Sequence, residues 1–160
     1  MSQPSGPASG GPSSVFSQSG LPMGTTIYTL DGALAVEALY PGDRVITRDA
    51  GAQTLLDIRR HKVPTGTPMV RVTGDALGGK PTQDTVLPGT QRVLIRDWRA
   101  QALYGTPAAR VPLSRLVDGE YLHWAEDGPQ ALLSLHFAHT HIVYANGLEL
   151  FSADPVAVNA

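Results

Sequence analysis

The sequence predicts an all-β domain with one short helical turn, and two features of its 160 residues support that fold class. Apolar residues come in short runs that alternate with polar ones, which is the pattern of half-buried strands. The 17 glycines and 13 prolines interrupt the chain often, so turns are frequent and long helices are disfavoured. The length fits a single domain.

The two ends of the chain are predicted to lie outside that domain. Residues 1–20 consist mainly of Ser, Gly and Pro, with Val15 and Phe16 as the sizeable apolar side chains after Met1. Such a segment cannot bury enough apolar surface to offset the entropy of ordering, so we expect a disordered tail. A short recognition peptide around Val15 and Phe16 is the alternative. The domain itself is expected over residues 21–154, with a second tail over 155–160.

Strands are predicted where an alternating apolar run ends in turn residues. Predicted strand runs cover, in order, residues 25–30, 33–39, 44–49, 53–63, 69–74, 92–97, 120–126, 131–137, 141–146 and 148–151. Asn146 and Gly147 suit a type I′ turn, which would join the last two of these runs as a hairpin. Helical character is predicted at residues 112–119, where Gly119 is a stop signal.

Two of the predicted strands resemble each other. Residues 43–49 read Asp-Arg-Val-Ile-Thr-Arg-Asp and residues 91–97 read Gln-Arg-Val-Leu-Ile-Arg-Asp, so four of seven positions are identical. A duplicated β subdomain would produce this similarity. Two strands that share an alternation would also produce it, and the sequence leaves both interpretations open.

Composition excludes several classes of function. The formal charge is −2, and the 12 Lys and Arg residues are spread without forming a basic face, which argues against nucleic acid or an anionic membrane as a partner. No apolar run approaches the roughly 18 residues of a membrane span. No signal-peptide start is present, so the default expectation is a soluble, cytoplasmic protein. The absence of cysteine excludes disulfides, thiolate metal sites and a Cys nucleophile.

Three histidines, His136, His139 and His141, lie close together in the sequence. On a strand, positions 139 and 141 would share a face at a spacing that can chelate a metal, whereas position 136 would face the other way. No third ligand follows at a fixed short spacing, so we expect polar or half-buried histidines beside a strand end. Neither a metal site nor a cofactor is predicted, and metal binding by His139 and His141 stays as an alternative.

Residues 24–49 resemble the opening of the Hint superfamily, the fold shared by Hedgehog autoprocessing domains and inteins. The likeness is to bacterial Hint-domain proteins, whose start reads roughly Gly-Thr, a strand, Asp-Gly, Val-Glu-x-Leu and x-Pro-Gly-Asp-x-Val. Near the other end, Ala145, Asn146 and Gly147 resemble the late Hint motif. The resemblance covers about residues 20–153 and implies a horseshoe-shaped, pseudo-twofold β fold.

Hint domains cleave themselves with a nucleophile at the first position and a histidine that protonates the departing nitrogen. By this resemblance, Gly20 occupies the nucleophile position and Gln91 that of the proton-donating histidine. Pro88 stands where the family has a threonine, and Phe151 and Ser152 stand where inteins end in His-Asn. His141 matches the late-motif histidine, so one of the five positions checked keeps a catalytic type of residue.

The resemblance therefore implies a Hint domain with degenerate catalytic positions. We expect it to be inactive in autoproteolysis and to act as a binding or structural module in a bacterial assembly, with a protein as its partner. The alternative is self-cleavage at the 19/20 junction, with Ser19 as nucleophile and His139 or His141 assisting. The sequence does not predict an oligomeric state.

Overall fold

The computed structural model describes residues 19–155, which form thirteen strands and few helical turns. The strands are β1 (Thr26–Thr29), β2 (Gly32–Ala35), β3 (Arg44–Thr47), β4 (Gly51–Thr54), β5 (Asp57–Lys62), β6 (Met69–Val72), β7 (Thr85–Pro88), β8 (Arg92–Ile95), β9 (Ala109–Pro112), β10 (Leu122–Ala125), β11 (Ala131–His136), β12 (Ile142–Ala145) and β13 (Leu148–Phe151). A helix, α1, covers Trp98–Tyr104, and 3-10 turns lie at Val36–Ala38 and Leu113–Leu116. The all-β fold class is confirmed.

The tails expected at residues 1–18 and 156–160, including the recognition peptide around Val15 and Phe16, lie outside the described residues. Within them, the helical turn predicted at 112–119 is a 3-10 turn, and α1 was not predicted. The seven residues of α1 are too few for a clear helical period, and its ends carry the signal instead. The Asp97 side chain accepts a hydrogen bond from the Arg99 main-chain nitrogen, and Gly105 ends the helix at φ 70°.

The largest sheet has eight strands in the order β2-β1-β3-β12-β13-β8-β9, with β4 also paired to β3. Its centre is the β12–β13 hairpin, where Asn146 and Gly147 have φ of 51° and 88°. Positive φ at both residues is what a type I′ turn requires, as predicted. Smaller sheets pair β10-β6-β7 and β11-β5, and buried aliphatic side chains such as Ile27, Val45 and Leu150 fill the core.

The two similar segments of sequence occupy matching places beside this hairpin. β3 from the first segment pairs with β12, and β8 from the second pairs with β13. Val45 and Val93, which are equivalent in the two segments, are both buried. The similarity therefore corresponds to two strands that flank one hairpin from opposite sides.

Strand β11 brings the two ends of the domain together. One edge of β11 pairs with β5. At the other edge, Leu21 and Leu133 exchange main-chain hydrogen bonds of 2.9 and 2.8 Å, and the Ala153 nitrogen donates to the Leu135 carbonyl at 3.2 Å. The segment that enters the domain and the segment that leaves it thus contact the same edge, two residues apart along β11.

Within residues 19–155, no helix has the length and apolar character that crossing a membrane requires.

Candidate functional site

Gly20 and Gln91, which lie far apart in sequence, are joined by a buried hydrogen bond. The main-chain nitrogen of Gly20 donates to Oε1 of Gln91 at 3.1 Å. Nε2 of Gln91 donates at 2.9 Å to the carbonyls of both Arg92 and Phe151. Gln91 is fully buried, and its amide holds the entering segment, the start of β8 and the end of β13 in place.

The packing around Gly20 leaves no room for a side chain. A Cβ placed on Gly20 would lie 2.9 Å from Cβ of Leu132, closer than carbon atoms in proteins pack. Leu132 is itself buried in β11, so it cannot move aside into solvent. The position where the resemblance expects a nucleophile therefore has neither the reactive group nor the space for one.

Ser19 and Pro88 also lie beside this junction. The Ser19 hydroxyl donates to the Phe151 carbonyl at 3.3 Å, and the Pro88 carbonyl accepts a hydrogen bond from the Gln91 nitrogen at 2.9 Å. A serine that rearranges attacks the carbonyl of the residue before it, which for Ser19 is residue 18, outside the described residues. Within residues 19–155, Ser19 makes no hydrogen bond to a histidine.

His141 is held in one orientation by an acidic side chain. Its Nδ1 lies 2.9 Å from Oδ2 of Asp49, and its main-chain nitrogen donates to Oγ of Ser152 at 3.0 Å. Nε2 of His141 is buried and makes no hydrogen bond within residues 19–155. Burial opposes ionisation of Asp49, but hydrogen bonds from the Ile142 nitrogen and from His141 outweigh it and lower the pKa of this carboxyl. An imidazole oriented by a carboxylate is a general acid–base arrangement, and no local motif indicates Asp49 as the partner of His141.

The strand geometry expected for His139 and His141 is wrong. β11 ends at His136 and β12 begins at Ile142, so both histidines lie in the connection between strands, where alternation does not apply. Their ring centroids are 6.2 Å apart, and His139 is exposed. No three His, Asp or Glu side chains in residues 19–155 come together as a set of metal ligands.

A second histidine network lies on β11 and was missed by sequence reasoning. Nε2 of His61 is 2.9 Å from Oγ of Ser134, and that oxygen is 2.8 Å from Nε2 of His136. Nδ1 of His136 lies 3.0 Å from the main-chain carbonyl of Asp154. His61 reaches this network because β5 pairs with β11, a contact between distant segments that no local motif signals.

Desolvation acts on the network at His61. Burial first, and then the electrostatic influence of His136 and Arg59, lowers the pKa of the His61 imidazole. His61 thus favours its neutral form beside Ser134.

Several solved structures of intein and intein-like domains share this fold. The solution structure of a bacterial intein-like domain from Clostridium thermocellum is 18% identical, with a TM-score of 0.56 over 84% of this chain and 98% of that one. The crystal structure of the gp41-1 intein is 14% identical, with a TM-score of 0.54 over 85% and 98% of the two chains. The MchDnaB-1 intein is 14% identical, with a TM-score of 0.50 over 83% and 99%. At these identities the likeness concerns the fold.

Sequence comparison bears on the family. No curated protein matches the chain. The Hint domain family, in contrast, matches residues 20–156. Since that match begins at Gly20, covers most of the chain and agrees with the all-β fold, this chain belongs to the Hint domain family.

Proposed function

We propose that this Hint domain leaves its amino-terminal junction uncleaved and acts as a binding or structural module in a larger protein assembly. The observation that supports this is the hydrogen bond from Gly20 to Gln91, at the two positions where the family's chemistry needs a nucleophile and a proton donor. Both residues serve structural contacts here.

The physical argument concerns the proton and the attacking atom. A glutamine amide has no titratable proton near neutral pH, and both of its ends are engaged by main-chain groups. General acid catalysis contributes about 10²–10⁴-fold to the rate of such a reaction. This chain lacks that contribution, and it also lacks the nucleophile at residue 20. A domain with this junction keeps its fold and its surface, which are what a module that works by contact requires.

Mass spectrometry of the full 160-residue chain tests the first half of the proposal. We expect no break between residues 17 and 21 after prolonged incubation at neutral pH, with or without hydroxylamine to capture an ester. The Ser19→Ala variant is the matched control for the alternative nucleophile. A break in the wild-type chain that disappears in Ser19→Ala would replace this proposal with self-cleavage.

A restored variant tests whether the missing groups are the cause. Gly20→Cys with Gln91→His supplies the nucleophile and the proton donor, and Leu132→Gly removes the β-carbon that the new side chain would otherwise meet. We expect dithiothreitol to cleave this triple variant before residue 20, while Leu132→Gly alone stays whole.

The module half of the proposal is tested in native extracts. The uncleaved chain is expected to migrate with larger assemblies in size-exclusion chromatography. Recovery mainly as fragments trimmed at residues 18–20 would contradict the proposal.

A further inference from the structure

The imidazole of His136 contacts the peptide bond from Asp154 to Pro155. The chain contains one Asp-Pro sequence, and it lies where the chain leaves the β11 edge. The carbonyl oxygen of that bond is 3.0 Å from Nδ1 of His136. Asp154 and Pro155 are both exposed, so water and protons can reach them.

The hydrogen-bond chain through His136 has one direction. A carbonyl oxygen only accepts, so Nδ1 of His136 carries the proton and donates it to Asp154. In the neutral ring, Nε2 then accepts from the Ser134 hydroxyl, whose oxygen accepts from Nε2 of His61. Donors in such a chain polarise one another, and here they all point toward the Asp154 carbonyl.

We propose that the folded domain promotes cleavage of its own chain after Asp154. The Asp154 carboxylate adds to the carbonyl carbon of the same residue and forms a five-membered cyclic anhydride. The bond from that carbon to the Pro155 nitrogen breaks, and the electron pair goes to nitrogen, which takes a proton from the acidic solvent. One water molecule then opens the anhydride and leaves Asp154 as the new carboxyl terminus.

Each residue has a defined part in this reaction. Asp154 is the nucleophile, and its proximity to its own carbonyl removes the entropy cost of bringing two groups together. Proline makes the broken bond a tertiary amide without an N–H, and its nitrogen takes a proton more readily than that of an ordinary peptide. His136 is a catalytic residue because it donates to the oxygen on which negative charge develops.

This reaction is separate from the proposed function, which concerns the amino-terminal junction. Cleavage after Asp154 removes residues 155–160 from the chain, whereas cleavage near Gly20 removes the amino-terminal segment. Intact-mass measurement distinguishes the two products directly, so either proposal can fail without the other.

The first test compares the folded and denatured states of the wild-type chain. The full chain is incubated at mildly acidic pH, with and without guanidinium chloride, and loss of residues 155–160 is followed by mass spectrometry. We expect the folded chain to cleave about 10²–10³-fold faster, the usual effect of one donor to a developing oxyanion. Equal rates in the two states, or a stable folded chain, would overturn the proposal.

Variants then identify the groups. His136→Phe is expected to lose the folded-state acceleration, and His139→Phe, at an exposed position three residues away, is the matched control. Asp154→Glu should be uncleaved because a six-membered anhydride forms less readily. If His136→Phe does not fold, the denaturant comparison decides alone. Cleavage of folded His136→Phe or of Asp154→Glu at the wild-type rate would rule out the assigned roles.

Discussion

Arg48 and Arg96, from equivalent positions of the two similar segments, bind the same carboxylate, that of Glu149. Nε of Arg48 lies 2.9 Å and Nε of Arg96 lies 3.0 Å from Oε1 of Glu149, and Nζ of Lys80 lies 3.5 Å from Oε2. The Glu149 side chain is 5% exposed. Burial opposes its ionisation, but the ion pairs with Arg96, Lys80 and Arg48 are stronger and lower the pKa of this carboxyl.

Replacing this carboxylate is expected to destabilise the domain. In Glu149→Gln, an amide group that donates would face three cations that also donate, so we expect a loss of about 2 kcal/mol in the free energy of unfolding. Because the folded-state pKa is lowered, the ionised carboxylate stabilises the wild type above its ordinary pKa of 4.5 and ceases to do so as the pH falls. Urea unfolding at pH 7 and pH 4 measures both effects.

The control for this prediction is Glu126→Gln at an exposed position, where the change should stay within about 0.5 kcal/mol. Equal stabilities of the two variants at pH 7 would show that the Glu149 ion pairs contribute nothing net.

Local features of the fold could be predicted because their causes are local. The Asn146 and Gly147 turn has positive φ at both residues, which short polar and glycine residues tolerate. The run over 53–63 shows the limit: it is two strands, β4 and β5, separated where Leu55 turns into the core. β7 was missed because Pro88 indicates a break, although it ends an edge strand that tolerates proline.

The candidate site could be predicted only in part, for a similar reason. The resemblance to the Hint superfamily assigns Gly20 and Gln91 to the same site, and a hydrogen bond joins them in the structure. Asp49 beside His141, and His61 beside Ser134, depend on contacts across 92 and 73 residues of sequence. Such pairs follow from sheet register, which a single sequence does not reveal.

Removing the Gln91 side chain should separate the entering segment from the domain. In Gln91→Ala, the Gly20 nitrogen loses its acceptor and the Phe151 carbonyl loses one of its donors, and an unsatisfied buried polar group costs about 1–3 kcal/mol. We expect at least about 2 kcal/mol of destabilisation by urea unfolding, with faster hydrogen exchange at Gly20. Gln101→Ala, at an exposed position of α1, is the control, and a Gln91→Ala variant as stable as this control would contradict the structural role of Gln91.

The stability of the domain should fall as the pH drops below about 6.5, where histidines titrate. The lowered pKa of His61 means that the unfolded chain binds its proton more readily than the folded one. Stability from neutral His61 is therefore present above its unfolded pKa and is lost as the pH falls through the folded value. His61→Asn should flatten the dependence of unfolding free energy between pH 7.5 and 5.5, and exposed His139→Asn should not. If the unfolding free energies of wild type and His61→Asn changed in parallel with pH, the pH dependence could not be assigned to His61.

Asn146 stabilises the domain through its side chain as well as its turn. Oδ1 accepts from the Thr26 nitrogen and Nδ2 donates to Oγ1 of Thr85, both at 2.9 Å, so one buried residue connects β12 to β1 and β7. Asn146→Ala loses both bonds and also places a β-carbon at φ 51°, for a combined cost of about 3 kcal/mol. Asn146→Gly loses the same bonds but relieves the backbone, so it should be more stable than Asn146→Ala by about 1 kcal/mol. Thermal and urea unfolding of the two variants separate these contributions. If Asn146→Gly were as stable as the wild type, the side-chain hydrogen bonds would contribute nothing, and the backbone conformation alone would explain the effect of Asn146.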